Sequence, residues 1–313
     1  MNTEEVHIGI DVSKDNLDIS PCKGLPYRCA NSRRAIGSLI RKLARLEATP
    51  VVCCEASGGY ESLLVRMLLE AGITVARANA ARVRSFARSR GLLAKTDPID
   101  AATLAEFSRV NKPRPATPPP PWLELLAGLL TRRTELVDMR TQERNRLAIV
   151  SEPVLEKSIR AHIRQIDKLV TEIEARIDEL LGEYPELREL SERLLAVKGI
   201  GKLSALSLLA FVPELGTVTG NQAAALVGVA PYNCDSGKMK GKRAIRGGRA
   251  KVRRAMYMAA QSARQHNAII RDFYNHLMEK GKPHKVAIVA VIRKLVHLAN
   301  RLLEDPDFQP AIS

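Results

Sequence analysis

The sequence predicts an α/β domain built on a mixed sheet, then a proline linker and coiled coil, then an all-α domain. Three observations predict this. Short β-branched runs alternate with amphipathic helical stretches up to about residue 112. Prolines then cluster at 113, 115 and 118–121. Beyond them the apolar residues recur at helical spacing. The natural divisions are 1–112, 113–190 and 191–313.

Val6-His7-Ile8-Gly9-Ile10-Asp11 alternates and reads as a strand. Val12-Ser13-Lys14-Asp15 turns the chain into a second strand, Asn16–Ser20, and a third covers Tyr27–Ala30. Asn31 or Ser32 caps a helix carrying Ile36, Leu39, Ile40, Leu43 and Leu46, which Thr49-Pro50 breaks. Val51–Glu55 is an apolar run suited to a buried central strand. After Gly58-Gly59 comes a helix with Leu63, Leu64, Met67, Leu68 and Leu69, then a strand at Ile73–Ala76. The order β-β-β-α-β-α-β-α predicts helices on both faces of a mixed sheet.

In open α/β sheets ligands gather at the carboxyl ends of strands, where Asp11 and Glu55 stand. Asp97 and Asp100 share one face of the first turn of a helix opened by Thr96-Asp97-Pro98. Each acid alone has a plainer reading, as a cap or a strand end. Four that converge repel one another unless a divalent cation neutralises them, and hard oxygen donors favour Mg²⁺ or Mn²⁺. Such a site activates a nucleophile on phosphorus.

The composition agrees with a phosphate partner. The chain has 313 residues, 45% apolar, with net charge +15, and that charge is clustered, which points to nucleic acid. No apolar run reaches the length of a membrane span. Met1-Asn2-Thr3-Glu4-Glu5 is not a signal peptide. The five cysteines include no C-x-x-C pair, so zinc ribbons and disulfide scaffolds fit poorly and a reducing cytoplasm is expected. Arg82, Arg84, Arg88, Arg90 and Lys95 form a basic strip ending two residues before Asp97. It is either a solvated face or a track for a nucleic-acid backbone.

Trp122 opens a long helix running to about Val150, and Pro153 interrupts it. Ile159, Ile163, Ile166, Val170, Ile173, Ile177 and Leu180 then step by four and three as an a/d seam. A seam that narrow needs a partner, either the preceding helix folded back or a second chain. A dimer or higher oligomer is therefore expected.

In the last third, Val197-Lys198-Gly199-Ile200-Gly201-Lys202 reads as a helix-hairpin-helix turn or as an ordinary turn between helices. In the first case its backbone N–H groups, with Lys198 and Lys202, bind phosphate. Asn221–Gly228 is a small helix, 250–265 is helical with Met256, Ala259, Ala260 and Ala263 inward, and Lys285–Leu303 is an apolar last helix carrying Val286, Ile288 and Val291. Between them stands Ser236, followed by Lys238, Lys240, Lys242, Arg243, Arg246, Arg249 and Arg253 with no acid among them. Serine is a weak nucleophile, and the cations suit the charge of a reacting phosphate. Spacing alone leaves open a nucleophile or a turn serine beside a binding patch.

The strand order with Asp11, Glu55, Asp97 and Asp100 resembles the ribonuclease-H/RuvC-like fold of Holliday-junction resolvases. Lys95-Thr96-Asp97-Pro98-Ile99-Asp100-Ala101 resembles the DEDD transposases of the insertion sequence 110 family, which includes the pilin-gene invertases. Gly228-Val229-Ala230-Pro231, the serine before Gly237, and Ile245-Arg246-Gly247-Gly248-Arg249 resemble the C-terminal transposase domain of that family. The resemblance implies DNA strand exchange guided by a structured non-coding bridge RNA. It also implies that Ser236 joins covalently to a DNA end, assisted by a metal at the four acids, in a homo-oligomer (dimer or tetramer) acting in the cytoplasm on the bacterial nucleoid. Two rival readings remain: a metal-dependent nuclease or resolvase using water, and a non-catalytic nucleic-acid-binding protein.

Overall fold

The structure is a computed structural model that describes residues 4–92, 97–232, 241 and 243–310, the side chains of Asp97 and Pro98 excepted. The chain forms two compact units, Met1–Pro119 and Pro120–Ser313. The sequence divides at 112 and 190; in the structure the proline stretch up to 119 groups with the first unit, where Ala116 N donates to Val75 O at 2.7 Å.

The first unit carries β1 (Glu5–Val12), β2 (Asn16–Ile19), β3 (Arg28–Ala30), α1 (Arg33–Leu43), β4 (Thr49–Glu55), α2 (Ser62–Glu70), β5 (Thr74–Ala78), α3 (Ala80–Ser89) and α4 (Asp97–Asn111). The sheet order is β3-β2-β1-β4-β5. The first three strands meander antiparallel, and β1, β4 and β5 run parallel. This is the mixed sheet the sequence predicts. One face, with Ile8, Ile10, Leu17, Val52, Cys54 and Val75, packs against Ile36, Leu39, Leu64 and Leu68 of α1 and α2. The opposite face, with Cys53 and Ala78, meets Val83 of α3 and Leu104 and Phe107 of α4. Burial pushes the thiols of Cys53 and Cys54 up to about 12, so both serve as small apolar core residues.

Gly9 sets the distance between α4 and the sheet. A Cβ there would lie 1.9 Å from Ala101 O and 2.5 Å from Ala105 N, so the helix rests directly on β1. Further back along the strand, His7 Nδ1 hydrogen-bonds Ser108 Oγ at 2.9 Å. Helix numbering rises as strand numbering falls, so α4 runs antiparallel to β1.

The second unit is helical: α5 (Leu123–Leu147), α6 (Pro153–Glu183), α7 (Pro185–Leu195), α8 (Lys202–Phe211), α9 (Gly220–Val227), α10 (Ala250–His266), α11 (Ala268–Glu279) and α12 (His284–Glu304), with a two-stranded ribbon of β6 (Pro231–Tyr232) and β7 (Ala244–Ile245). α5 folds back on α6 as an antiparallel hairpin. Leu136 packs with Ile166 and Val170, and Arg133–Glu174 (2.7 Å) and Arg140–Asp167 (2.8 Å) bridge the pair. Of the two partners the seam allowed, this is the preceding helix. Ile166, Val170, Ile177 and Leu180 are buried, while Ile159, Ile163 and Ile173 are half-buried. α8 and α12 supply much of the core, through Leu206, Leu208, Ile288, Val291, Ile292 and Leu295. Val286, one of the apolar residues read on the last helix, is exposed, because it falls in the first turn of α12 before the buried stripe begins. α11 and the ribbon are additions to the sequence reading. The cap of α11 is Asn267, whose side chain accepts from Ile270 N at 3.1 Å.

Candidate functional site

Side chains alternate along a strand, so the face of each acid follows from its neighbours. Gly9 faces α4, and therefore so does Asp11. Cys53 packs with Leu104 and Phe107 of α4, and therefore Glu55 points the same way. The pairing Ile10↔Cys54 puts Asp11 and Glu55 one step further on, side by side at the carboxyl ends of adjacent parallel strands. Because α4 runs antiparallel to β1, its first turn, with Asp97 and half-buried Asp100, lies toward that same end of the sheet.

The side chain of Asp97 lies outside the described residues. Among the described ones, no three His, Cys, Asp or Glu side chains are close enough together to hold a metal ion. The donors nevertheless fit a hard cation in kind. Asp11, Glu55 and Asp100 offer carboxylate oxygen only, and the nearby sulfur of Cys53 is sealed in the α4 interface.

Strand register supplies a neighbour that the sequence reading missed. Asp11 pairs with Asp18 across β1 and β2, and Asp18 pairs with Arg28 across β2 and β3. Asp18 is 6% exposed, and Arg28 Nε donates to its Oδ1 at 2.6 Å. The signal was in the hairpin: a turn closed by Ser13 N donating to Asn16 O fixes which residue stands opposite Asp11.

The loops beyond the two strands are tied together. Asn31 Nδ2 donates to Ser13 O at 3.0 Å and to Tyr60 O at 3.1 Å. Buried Glu61 accepts from Ser57 N (3.1 Å), Ser57 Oγ (3.2 Å) and Gly59 N (2.9 Å). Burial pushes the Glu61 carboxyl up, but hydrogen bonds from its own amide, Gly59 and Ser57 outweigh it, and the net shift is downward.

The basic residues divide into two groups. Arg84 and Arg88 are exposed on α3, four residues apart on one face, and neither makes an ion pair among the described residues. Arg82 instead lies over the Phe107 ring at 5.9 Å, and Arg90 pairs with Glu106. Lys202, at the start of α8, pairs with Asp178, whereas Lys198 in the preceding turn has no ion-pair partner among the described residues. Arg249, expected to clamp phosphate, places both arms of its fork on Glu214 at 2.6 and 2.5 Å. Arg253 donates to Gly247 O at 2.8 Å. Arg246 is also engaged within the chain, and Arg243 is exposed.

Lys95, Ser236, Lys238, Lys240 and Lys242 lie outside the described residues. The base of the segment that carries Ser236 is described. Gly228 caps α9 at φ +80°, Gly248 precedes α10 at φ +71°, and a Cβ on Gly248 would lie 2.2 Å from Gly228 Cα. Arg249 N donates to Leu226 O at 2.8 Å, and Pro231↔Ile245 and Tyr232↔Ala244 pair above that contact.

Two family models match the chain in succession. Residues 8–150 match the DEDD transposase family of IS110, and residues 191–275 match the transposase family of IS116, IS110 and IS902. The chain is 26% identical over 308 residues to the pilin gene-inverting protein of Moraxella lacunata and 27% identical to that of Moraxella bovis, covering 94% of each chain. It is 31% identical over 139 residues to an uncharacterized protein of insertion element IS110 from Streptomyces coelicolor, which is 44% of this chain and 33% of the relative. No helix among the described residues is long and apolar enough to cross a membrane. With both family domains present in order, the chain belongs to the IS110 transposase family and is a DNA transposase or recombinase.

Proposed function

We propose that this transposase cuts and rejoins the DNA strands of a mobile element at a composite site, made of Asp11, Glu55, Asp97 and Asp100 with Ser236. The observation that carries the reading is the antiparallel run of α4 along β1, which turns the Asp97–Asp100 end of the helix toward Asp11 and Glu55. The four acids would hold Mg²⁺ or Mn²⁺, which when bound supplies positive charge at the reacting phosphate. Ser236 Oγ gives up its proton and bonds to phosphorus at a DNA end. The bond from phosphorus to the departing sugar oxygen breaks, and that oxygen takes a proton. Attack by the hydroxyl of another strand reverses the step, releasing Ser236 and joining the new strand.

Arg84, Arg88, Lys198 and Arg243, with Lys95, Lys238, Lys240 and Lys242, hold the nucleic-acid backbone. The turn at Gly199–Gly201 acts as a helix-hairpin-helix contact to phosphate. A bridge RNA reads sequence by base pairing. The α5–α6 hairpin is an antiparallel coiled coil within one chain, and the protein works as a dimer or tetramer on the nucleoid in the cytoplasm. The test is Ser236→Ala with DNA ends, followed on denaturing gels. We expect no protein–DNA adduct and recombination reduced more than about a thousandfold. Cutting at near wild-type rate with no adduct from either protein would mean that water attacks and the site is that of a nuclease.

A further inference from the structure

The registers place one row of ionisable side chains across the sheet on the α4 face. It runs Arg28, Asp18 and Asp11 by direct pairing, and continues to Glu55 one step past the Ile10↔Cys54 pair. Directly opposed residues of antiparallel strands have Cα atoms about 4.5–5.5 Å apart, and like charges so opposed repel. Asp18 is buried, with its side chain 8% exposed, whereas the Arg28 side chain is 55% exposed at the sheet edge. A buried carboxylate beside another acid needs a partner, and Arg28 Nε supplies it at 2.6 Å. Arg28 and Asp18 together add no net charge, with Asp18 directly opposite Asp11 and Arg28 one strand further, about 10 Å from it between Cα atoms.

We propose that Arg28 and Asp18 are positioning residues that form a built-in counter-ion pair for the candidate metal centre, setting the charge that Asp11 and Glu55 present to a divalent cation. This rests on the reading of Asp11 and Glu55 as cation ligands. A charge within about 10 Å in a partly buried site changes cation affinity in the direction of its sign. Removing Arg28 tightens cation binding, removing the Asp18 charge weakens it, and removing both restores it. A strut that only held β2 to β3 would behave otherwise: either loss would harm the site, and the double loss would harm it at least as much.

The experiment is a Mn²⁺ titration of the full chain at pH 8, with free Mn²⁺ read by electron paramagnetic resonance. We expect Arg28→Gln to tighten Asp11-dependent binding about tenfold, Asp18→Asn to weaken it about tenfold, and the double variant to lie within about threefold of wild type. The proposal is overturned if Arg28→Gln leaves the affinity unchanged or weakens it, or if the double variant binds as poorly as Asp18→Asn. Arg28→Gln alters a half-exposed side chain and carries the test even if Asp18→Asn does not fold. Asp11→Asn is the control that separates the two readings. Wild-type binding no better than that of Asp11→Asn overturns the metal reading, and this proposal with it. Asp11-dependent binding indifferent to Arg28 overturns this proposal alone.

Discussion

The two units seat backbone on backbone in different settings. In the first unit the acids belong to secondary structure: Asp11 and Glu55 are fixed by strand register, and Asp100 by a helix resting on a glycine. In the second unit the structure fixes the base of the serine-bearing segment, by the Gly228–Gly248 contact, the two-residue ribbon and the hydrogen bond from Arg249 N to Leu226 O. Both rely on a glycine where a side chain would collide. In one case the packed backbone is that of a helix on a strand, α4 on β1, and in the other it is the start of α10 against the end of α9. Acids that must converge within a few ångströms need rigid elements.

That contrast can be broken from either side. The largest effect is expected from Gly9→Val, since the colliding atoms are backbone of α4. The first unit should lose about 3 kcal/mol or more and Mn²⁺ binding with it, measured by urea unfolding and metal titration. Wild-type stability would mean that α4 does not rest on β1. Gly248→Ala comes next. It adds a Cβ 2.2 Å from Gly228 Cα at a positive φ of 71°, and should cost about 2–3 kcal/mol. The loss should appear in the unfolding of the second unit, leaving the first unchanged. An undisturbed second unit would remove the anchor from the comparison.

The smallest effect is Glu61→Gln, which weakens the loop after Glu55 by about 1 kcal/mol at neutral pH. The folded-state pKa of Glu61 is lowered, so its contribution is complete above the unfolded value of about 4.3 and fades as pH falls through the folded one. Stability curves of wild type and variant should therefore converge in acid, and a gap that persists to pH 3 would remove Glu61 as the cause.

Much of the first unit was legible in the sequence because strands and amphipathic helices announce themselves by period. The β-β-β-α-β-α-β order and the face shared by Asp97 and Asp100 follow from such patterns. Asp18 was not legible as part of the site. Its role depends on which residue stands opposite Asp11, a fact of turn geometry and not of residue type. The basic residues were the least legible. A positive charge in a list does not say whether an acid such as Glu214 or Glu106 will reach it, and Arg249 and Arg90 are engaged by those partners. The α5–α6 hairpin lay between: the seam at 159–180 required a partner helix, and only the fold identifies it as α5.

The seat of α4 on Gly9 also bears on how the protein is made. The strand that carries Asp11 leaves the ribosome long before the helix that carries Asp100, and the two cannot meet until Asn111 has followed. At synthesis rates of roughly 5–20 residues per second the nascent chain passes through a period with Gly9, Cys53 and Ala78 of the sheet uncovered and the acid set unfinished. A chain terminated before α4 would carry Asp11 and Glu55 without the helix that covers their face of the sheet, so truncated products would lack Asp97 and Asp100 while keeping the Arg84 and Arg88 face of α3.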